Sequence, residues 1–250
     1  MPRRTRLDAE LVRRGLARSR EHASQLIADG RVTVRGTVAG KPATAVETDA
    51  PVVVREQPGD DWASRGAHKL IGALDAFDID VTGRRALDAG ASTGGFTDVL
   101  LRRGAREVVA ADVGRGLLVW RLQTDERVLV LDKTNVRALT PEQTRGPVDL
   151  VVADLSFISL RSVLPALLAC ARPGADLVLL VKPQFEAGRV EASRGKGVIR
   201  DPAIHERVQD EVGAALDAAG ATIMGWMESP LRGADGNVEL FVHALAPEAS

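Results

Sequence analysis

The stretch Asp88-Ala-Gly-Ala-Ser-Thr-Gly-Gly-Phe-Thr97 decides how the larger part of this chain is predicted to fold. It follows a short apolar segment, Arg85-Ala-Leu-Asp88, and opens an amphipathic segment that ends near Arg103. Small residues between a strand and a helix allow a sharp turn and a close approach of the backbone to a ligand. A second apolar segment, Val108 to Asp112, ends in a carboxylate about 20 residues further on, where an acidic residue can bind a ribose diol.

The spacing of the glycines selects among nucleotide-containing cofactors. A dinucleotide site has the pattern G-x-G-x-x-G, whereas Gly90-Ala-Ser-Thr-Gly94-Gly95 has Ser92 at the position of the second glycine. No Lys-Ser or Lys-Thr pair follows Gly95, so a mononucleotide phosphate loop is excluded as well. S-adenosylmethionine has no pyrophosphate and needs only a grip on its adenosine and room for its methionine, so it is the predicted cofactor. The alternative is a glycine-rich connection without a ligand.

From residue 64 onward, apolar and amphipathic segments alternate. Strands are expected near 84–90, 106–112, 127–132, 147–154, 175–182, 221–228 and 237–245, and helices near 66–77, 94–103, 115–123, 160–171 and 202–219. Such alternation predicts an α/β fold with a mostly parallel sheet that helices cover on both faces. Ligands of that architecture bind outside the carboxyl ends of the strands. The predicted cofactor site therefore comprises Asp88, Gly90, Ala91, Ser92, Thr93, Gly94, Gly95, Phe96, Asp112 (on the ribose), Asp132 and Asn135 (near the adenine) and Asp154.

Two lysines and two carboxylates are the candidate catalytic residues. Lys182 ends the apolar strand Leu177–Val181, where desolvation is expected to lower its pKa, and a neutral amine there could take a proton from a weakly acidic hydroxyl. Asp154 ends another apolar strand, and Lys69 and Glu239 lie in Ser64–Leu70 and Gly236–Val242. The two carboxylates would orient the amines. The alternative for each residue alone is a surface ion pair.

The first 42 residues form a basic segment with its own pattern. They carry ten lysines and arginines against four acidic residues, a net charge of about +6, which suggests binding to a polyanion. Leu7, Leu11, Val12 and Leu16 form the apolar stripe of a first helix, and a second helix follows Ser19 and stops at Gly30. A hairpin over Val32 to Val38 comes next. The alternative is a solvated face whose charge has no partner.

This segment resembles the small RNA-binding fold named after ribosomal protein S-four. The matching residues are Arg6-Leu7-Asp8, Leu11, Ser19-Arg20, Ala23, the Ile27-x-x-Gly30-x-Val32-x-Val34-x-Gly36 run and Lys41-Pro42. The resemblance implies an α/β RNA-binding domain. Its candidate RNA-binding residues, with one from the start of the following domain, are Arg4, Arg6, Arg14, Arg18, Arg20, Arg31, Lys41 and Arg65. A polar, turn-forming segment, Gln57 to Trp62, places the domains at 1–59 and 64–250 with a linker at 60–63.

Composition restricts the class of protein. A chain of 250 residues with 45% hydrophobic and 27% charged residues is typical of a soluble globular protein, and no apolar run has the length of a membrane span. No apolar segment follows the arginine-rich start, so we expect no signal peptide. The single cysteine, Cys170, fits a cytoplasmic protein without a disulfide, and no cluster of residues has the spacing of a metal site.

The ordered set Lys69, Asp154, Lys182 and Glu239 resembles the Lys-Asp-Lys-Glu tetrad of the FtsJ-like ribose 2′-O-methyltransferases. The motifs Ser64–Leu70 and Asp88–Thr97 stand in the matching places. With its N-terminal segment, the whole chain resembles the TlyA family of ribosomal RNA methyltransferases, once labelled hemolysins. This implies a Rossmann-like class I methyltransferase domain with a seven-stranded sheet and S-adenosylmethionine as cofactor. It also implies methylation of cytidine 2′-hydroxyls in small- and large-subunit ribosomal RNA, free or in subunits.

Other methyl acceptors fit the residues less well. Enzymes that methylate base amines have an Asn/Asp-Pro-Pro-aromatic run, and Asp154-Leu-Ser-Phe157 lacks both prolines. Methylation of a pyrimidine carbon requires a thiolate, whereas Cys170 lies in a helical apolar pattern typical of a core. Two other classes stay open. One is an RNA-binding assembly factor with an inactive methyltransferase fold, and the other is a cytolysin, which only the historical label suggests.

Overall fold

The structure, a computed structural model, describes residues 4–17, 20–55, 62–188, 191, 197–233 and 236–248. The chain divides into two compact units, Met1–Asp61 and Trp62–Ser250. Arg18, Ser19 and the first half of the predicted linker lie outside the described residues.

The described part of the first unit contains two helices and five short strands. The helices are α1 (Leu7–Arg13) and α2 (Arg20–Ala28), and the strands are β1 (Arg4–Arg6), β2 (Val32–Val34), β3 (Thr37–Val38), β4 (Ala45–Glu47) and β5 (Val52–Val54). Strand β2 pairs with β3 and β5, and β1 pairs with β4, all antiparallel. The predicted helices and hairpin are confirmed, and Leu7 and Leu11 are buried in the core. Leu16 is exposed instead, because α1 ends at Arg13 and the chain reverses at Gly15, whose φ is 72°.

The second unit is built on a seven-stranded sheet. Its strands are β6 (Arg85–Ala89), β7 (Glu107–Ala111), β8 (Val128–Leu131), β9 (Val148–Ala153), β10 (Ala171–Val181), β11 (Thr222–Glu228) and β12 (Leu240–Leu245). The order across the sheet is β11-β12-β10-β9-β6-β7-β8, and β12 runs in the direction opposite to the other six strands. This confirms the predicted mostly parallel α/β sheet.

Helices and two apolar clusters cover both faces of this sheet. The helices are α3 (Gly66–Ala76), α4 (Gly95–Arg102), α5 (Trp120–Gln123), α6 (Leu164–Cys170), α7 (Pro183–Glu186) and α8 (Pro202–Ala218). Burial on both faces explains why central strands such as β9 and β10 are continuous apolar runs rather than alternating ones. Cys170 is buried in one of the clusters, as its helical pattern predicts.

Three helices differ from the prediction. The helix expected over 115–123 begins only at Trp120, because Gly114 and Gly116 precede it and glycine disfavours a helix. The one expected over 160–171 is a 3-10 turn, Leu160–Ser162, followed by α6. The third difference is α7, which was not predicted and starts at Pro183, since proline is favoured at the first helical position.

Candidate active site

The loop after β6 is shaped by two glycines with left-handed backbones. Gly90 has φ 87° and Gly94 has φ 99°, a region that other residues adopt at a cost. A side chain at Gly90 would meet the Asp154 carbonyl oxygen, and one at Gly94 would meet Leu118 and Leu122. The Gly90 amide donates to the carbonyl of Ala111 at 2.8 Å. The loop is therefore held against the end of β7 and has no room for side chains on its inner side.

The carboxylates that follow β7 and β8 are bonded to loop backbone. Asp112 accepts hydrogen bonds from the amides of Ser92 at 2.8 Å and Gly114 at 2.7 Å. Asp132 accepts from the Gly116 amide at 2.9 Å. Asn135 accepts from the Arg137 amide at 3.1 Å and caps a short 3-10 helix. Asp112 and Asp132 line one small cavity together with Ala91, Ser92, Ala110, Leu117, Leu118 and Val130. The lining of this cavity joins apolar side chains to carboxylates that can accept hydrogen bonds from hydroxyls.

Asp88 and Phe96 are buried behind the loop rather than exposed to the cavity. Phe96 packs in the core against Phe241. The Asp88 carboxylate accepts a hydrogen bond from the Thr97 hydroxyl at 2.6 Å, while its other oxygen has no partner among the described residues. Burial, and to a smaller extent the charges of Asp154 and Asp112, raise the pKa of Asp88 from 3.8 to about 7. A cation beside this carboxyl would favour its ionised form.

The raised pKa of Asp88 predicts a pH-dependent stability. The folded protein holds a proton that the unfolded chain has lost, so raising the pH from 3.8 to about 7 removes up to about 1.4 kcal/mol of stability per pH unit. Asparagine has no such proton to lose. We expect the melting temperature of Asp88→Asn, relative to wild type and without ligand, to be higher at about pH 7.5 than at about pH 5.

Asp98 supplies a matched control for this experiment. It is also buried, but hydrogen bonds from Arg121 and the Ala63 amide, with the charges of Arg121 and Arg102, outweigh burial and lower its pKa. Asp98→Asn should therefore be destabilising, and by about the same amount at pH 5 and pH 7.5, because the carboxyl is ionised in both the folded and the unfolded chain over that range. A melting difference for Asp88→Asn that does not change with pH would contradict the assignment.

The register of the sheet gathers the candidate catalytic residues at one edge. Val181 lies opposite Leu240 across β10 and β12, so Lys182 and Glu239 are the next residues on each strand. Asp154 follows β9, which runs parallel to β10, and its backbone amide donates to the carbonyl of Ala89. Asp154, Lys182 and Glu239 thus lie next to one another, each directly beyond one end of a strand.

The four residues form two lysine–carboxylate pairs, of which Lys69–Glu239 is buried and Lys182–Asp154 is partly exposed at Asp154. Lys69 Nζ, on α3, lies 2.5 Å from Glu239 Oε2. Lys182 Nζ lies 2.5 Å from Asp154 Oδ1 and donates to the Ser156 hydroxyl at 3.0 Å. Both lysine side chains are about nine-tenths buried, so each ammonium is held in place by its partner rather than by water. Neither lysine takes part in a surface ion pair, which was the alternative interpretation of each residue taken alone.

Glu186, which the sequence did not single out, fixes the loop that follows Asp154. Its carboxylate accepts from the Ser159 hydroxyl at 2.5 Å and the Leu160 amide at 2.5 Å, and it pairs with Arg161. It lies on α7, four residues after Lys182, so the segments that carry the two members of one pair are bonded to each other. In the sequence, Glu186 is marked only by its position four residues after Lys182, and that position does not indicate which groups its carboxylate binds.

The candidate RNA-binding residues have different surroundings. Arg4, Lys41 and Arg65 are exposed. Arg31 donates to the Arg55 carbonyl at 3.1 Å. Arg14 bonds Glu10 and two backbone carbonyls, whereas Arg6 and Arg20 both bond Asp8. Arg14 therefore has a structural function in addition to any contact with RNA.

The described residues hold neither a candidate metal site nor a membrane-spanning helix. They contain no group of histidine, cysteine, aspartate or glutamate that could hold a metal ion. None of their helices is long and apolar enough to cross a membrane.

The fold and the site define a class of protein, the α/β methyltransferases. The N-methyltransferase NodS from Bradyrhizobium japonicum shares the fold, with a TM-score of 0.51 and 19% identity over 76% of this chain and all of that one. The chain belongs to the FtsJ-like methyltransferase family, which matches residues 62–245, and an S4 domain matches residues 5–52. Both resemblances seen in the sequence are thereby confirmed.

Two relatives resemble the chain over nearly its whole length. The 16S/23S rRNA (cytidine-2′-O)-methyltransferase TlyA of Mycobacterium tuberculosis is 57% identical over 97% of this chain and 90% of its own. A solved structure described as "Putative hemolysin from Streptococcus thermophilus" is 38% identical, with a TM-score of 0.78 over all of this chain and 90% of that one.

Proposed function

We propose that this protein transfers a methyl group from S-adenosylmethionine to ribose 2′-hydroxyls of ribosomal RNA, at cytidines of 16S RNA, 23S RNA or both. The observation that carries the proposal is that two largely buried lysines are each paired with a carboxylate, Lys182 with Asp154 and Lys69 with Glu239, at the sheet edge that also bears the glycine loop. The 57% identical relative, whose name states this reaction, supports the choice of acceptor.

The residues around the loop fit S-adenosylmethionine. Its adenosine would bind against the residues that line this cavity, with its ribose at Asp112 and its adenine near Asp132 and Asn135. Its methionine would lie along the Gly90–Gly95 loop. The cofactor carries a sulfonium and an ammonium, and this positive charge suits Asp112 at the cavity and, when it is ionised, Asp88 behind the loop. When bound, it supplies an electrophilic methyl group.

The chain's own residues would orient the acceptor and manage its proton. The new bond forms between the 2′-oxygen and the methyl carbon as the carbon–sulfur bond breaks, and the hydroxyl proton must leave. As a neutral amine, Lys182 Nζ would accept this proton; as an ammonium, it would donate to the hydroxyl oxygen and orient it while the proton passes to water. Asp154 and Ser156 hold it in place. Alignment of oxygen and methyl carbon would provide much of the acceleration.

Lys69 and the S4 domain would bind the rest of the substrate. Lys69, held by Glu239, places a second ammonium at the site, where it would contact the ribose or the neighbouring phosphate. The S4 domain would bind the phosphate backbone elsewhere, because its basic residues favour a polyanion.

Methyl transfer to unmodified ribosomal RNA tests the proposal. Pure protein, labelled S-adenosylmethionine and 30S or 50S subunits from cells that lack this activity should give labelled RNA, and mapping should place the label on cytidine 2′-oxygens. Binding of RNA without transfer would favour an assembly factor with an inactive fold. Label on a base would contradict the assigned acceptor.

The proposed ribose contact gives a second prediction. Asp112→Ala should weaken S-adenosylmethionine binding by about 1–3 kcal/mol, because the ribose hydroxyls lose their acceptor and the Ser92 and Gly114 amides lose theirs. Isothermal titration calorimetry measures the change. Asp112→Asn, which keeps an acceptor, should lose less. An affinity equal to that of wild type would assign the ribose to another residue.

A further inference from the structure

The first helix of the S4 domain carries two buried carboxylates with contrasting partners. Asp8 and Glu10 are both inaccessible to solvent, although acidic side chains are rarely buried unless paired. Each is bonded to two arginines: Asp8 to Arg6 and Arg20, and Glu10 to Arg13 and Arg14. The two clusters lie one turn apart or less on α1, so they can be compared directly.

The Asp8 cluster presents its arginines to solvent. Arg6 donates to the carboxylate through Nε at 3.1 Å and Nη2 at 2.9 Å, and Arg20 donates to the same Oδ2 at 3.0 Å. The two guanidinium side chains are 51% and 60% exposed. Among the described residues, neither has an acceptor other than Asp8. Two cations therefore lie side by side with donors left over.

The Glu10 cluster has one exposed arginine, Arg13, at 58%, but its second arginine ties parts of the domain together. Arg14 donates to Glu10 at 2.7 Å, to the Ala50 carbonyl at 2.8 Å and to the Thr48 carbonyl at 3.0 Å. Its side chain is only 21% exposed. Since most of its donors are used inside the fold, this cluster links α1 to the turn after β4.

We propose that Asp8 is a positioning residue that holds Arg6 and Arg20 as a preformed binding site for a phosphate group of RNA. Two guanidinium groups would repel each other without the carboxylate, and each would sample many rotamers. Asp8 fixes both through one shared oxygen and leaves a net positive charge for the phosphate. Hydrogen bonds from Arg6, and less from Arg20, outweigh burial and lower the pKa of Asp8 to about 2, so the carboxylate is ionised at neutral pH.

The direction in which one substitution changes RNA affinity distinguishes a positioning role of Asp8 from simple charge attraction. Asp8→Asn makes the domain more positive, so charge alone predicts tighter RNA binding. The positioning role predicts weaker binding, by about 5- to 50-fold, because two long side chains must be ordered when RNA binds. Asp49→Asn removes an exposed negative charge from the same domain and should bind RNA as well as wild type or better. Glu10→Gln is the control for burial and should change binding much less.

The experiment measures binding of the full chain to in vitro transcribed 16S and 23S RNA at several salt concentrations. In a variant that already carries Arg6→Gln and Arg20→Gln, the added substitution Asp8→Asn should not change RNA affinity further, since the effects of coupled residues are not additive. Circular dichroism and the melting temperature check that each variant is folded. If Asp8→Asn is unfolded, Asp8→Glu replaces it, because it keeps the charge but displaces the arginines, and it should also weaken binding.

Three results would overturn the positioning role. The first is RNA binding by Asp8→Asn that is unchanged or tighter than that of wild type. The second is a loss of RNA affinity in Glu10→Gln equal to that in Asp8→Asn. The third is an undiminished effect of Asp8→Asn in the variant that already lacks Arg6 and Arg20. The inference rests on the proposed function, and wild-type methyl transfer in the same preparations tests that function separately. Absence of transfer with intact RNA binding would remove the proposed reaction and leave the role of Asp8 standing.

Discussion

Replacement of Lys182 by alanine is expected to lower the rate of methyl transfer by at least about 100-fold, in the range of a lost acid–base group. Binding of S-adenosylmethionine and of RNA should change by no more than a few-fold, because the proposed role of Lys182 begins after both have bound. Single-turnover transfer of a labelled methyl group measures the rate. Calorimetry and filter binding measure the two affinities.

Lys182→Arg separates the two possible roles of the lysine. Arginine keeps a positive charge beside Asp154 but does not lose its proton in a protein, so it cannot act as a base. An arginine variant as inactive as the alanine variant favours proton removal by Lys182, and partial activity favours orientation of the hydroxyl. Retention of most activity by Lys182→Ala would end the assignment of this residue to catalysis.

Removal of residues 1–61 should have the second large effect. The remaining unit keeps its sheet and both apolar clusters, so we expect it to fold and to bind S-adenosylmethionine with wild-type affinity. It lacks the S4 domain, and kcat/KM for ribosomal RNA should fall by about 10- to 1,000-fold at moderate salt, because phosphate contacts dominate RNA affinity. Raising the salt concentration should reduce the gap, since the wild type loses those contacts too.

The two proteins must be compared at low enzyme concentration. At high concentration, weak binding by the second unit alone would hide the loss of the S4 domain. A fragment that methylates its RNA at the wild-type rate under dilute conditions would show that the S4 domain does not recruit the substrate. Unchanged affinity for S-adenosylmethionine is the control for a folded fragment.

The sheet was predictable because its pattern is strong. The strands of the second unit fall within a few residues of the segments expected from apolar runs, apart from the amino-terminal extension of β10. The segment before Trp120 was predicted wrongly, because its apolar residues suggest a helix while Gly114 and Gly116 oppose one. Local pattern could not decide between these two tendencies.

The candidate site was predictable as a set of residues but not as an arrangement. The order of Lys69, Asp154, Lys182 and Glu239 does not state which lysine meets which carboxylate, since that depends on how β12 inserts beside β10. Burial of Asp88 was equally hidden, because a carboxylate at a strand end reads as a residue that faces the ligand. Long-range packing decides both.

The pairing of Lys69 with Glu239 has a consequence for when this protein becomes active. The two side chains are 170 residues apart in the chain, and the second lies just before the last strand of the sheet. A chain still emerging from the ribosome therefore holds the glycine loop long before it holds the second ion pair. Contacts between such distant residues form late, because closing a long loop costs entropy. With the role proposed for Glu239, methyl transfer would require the whole sheet, and partly folded molecules should not contribute to it.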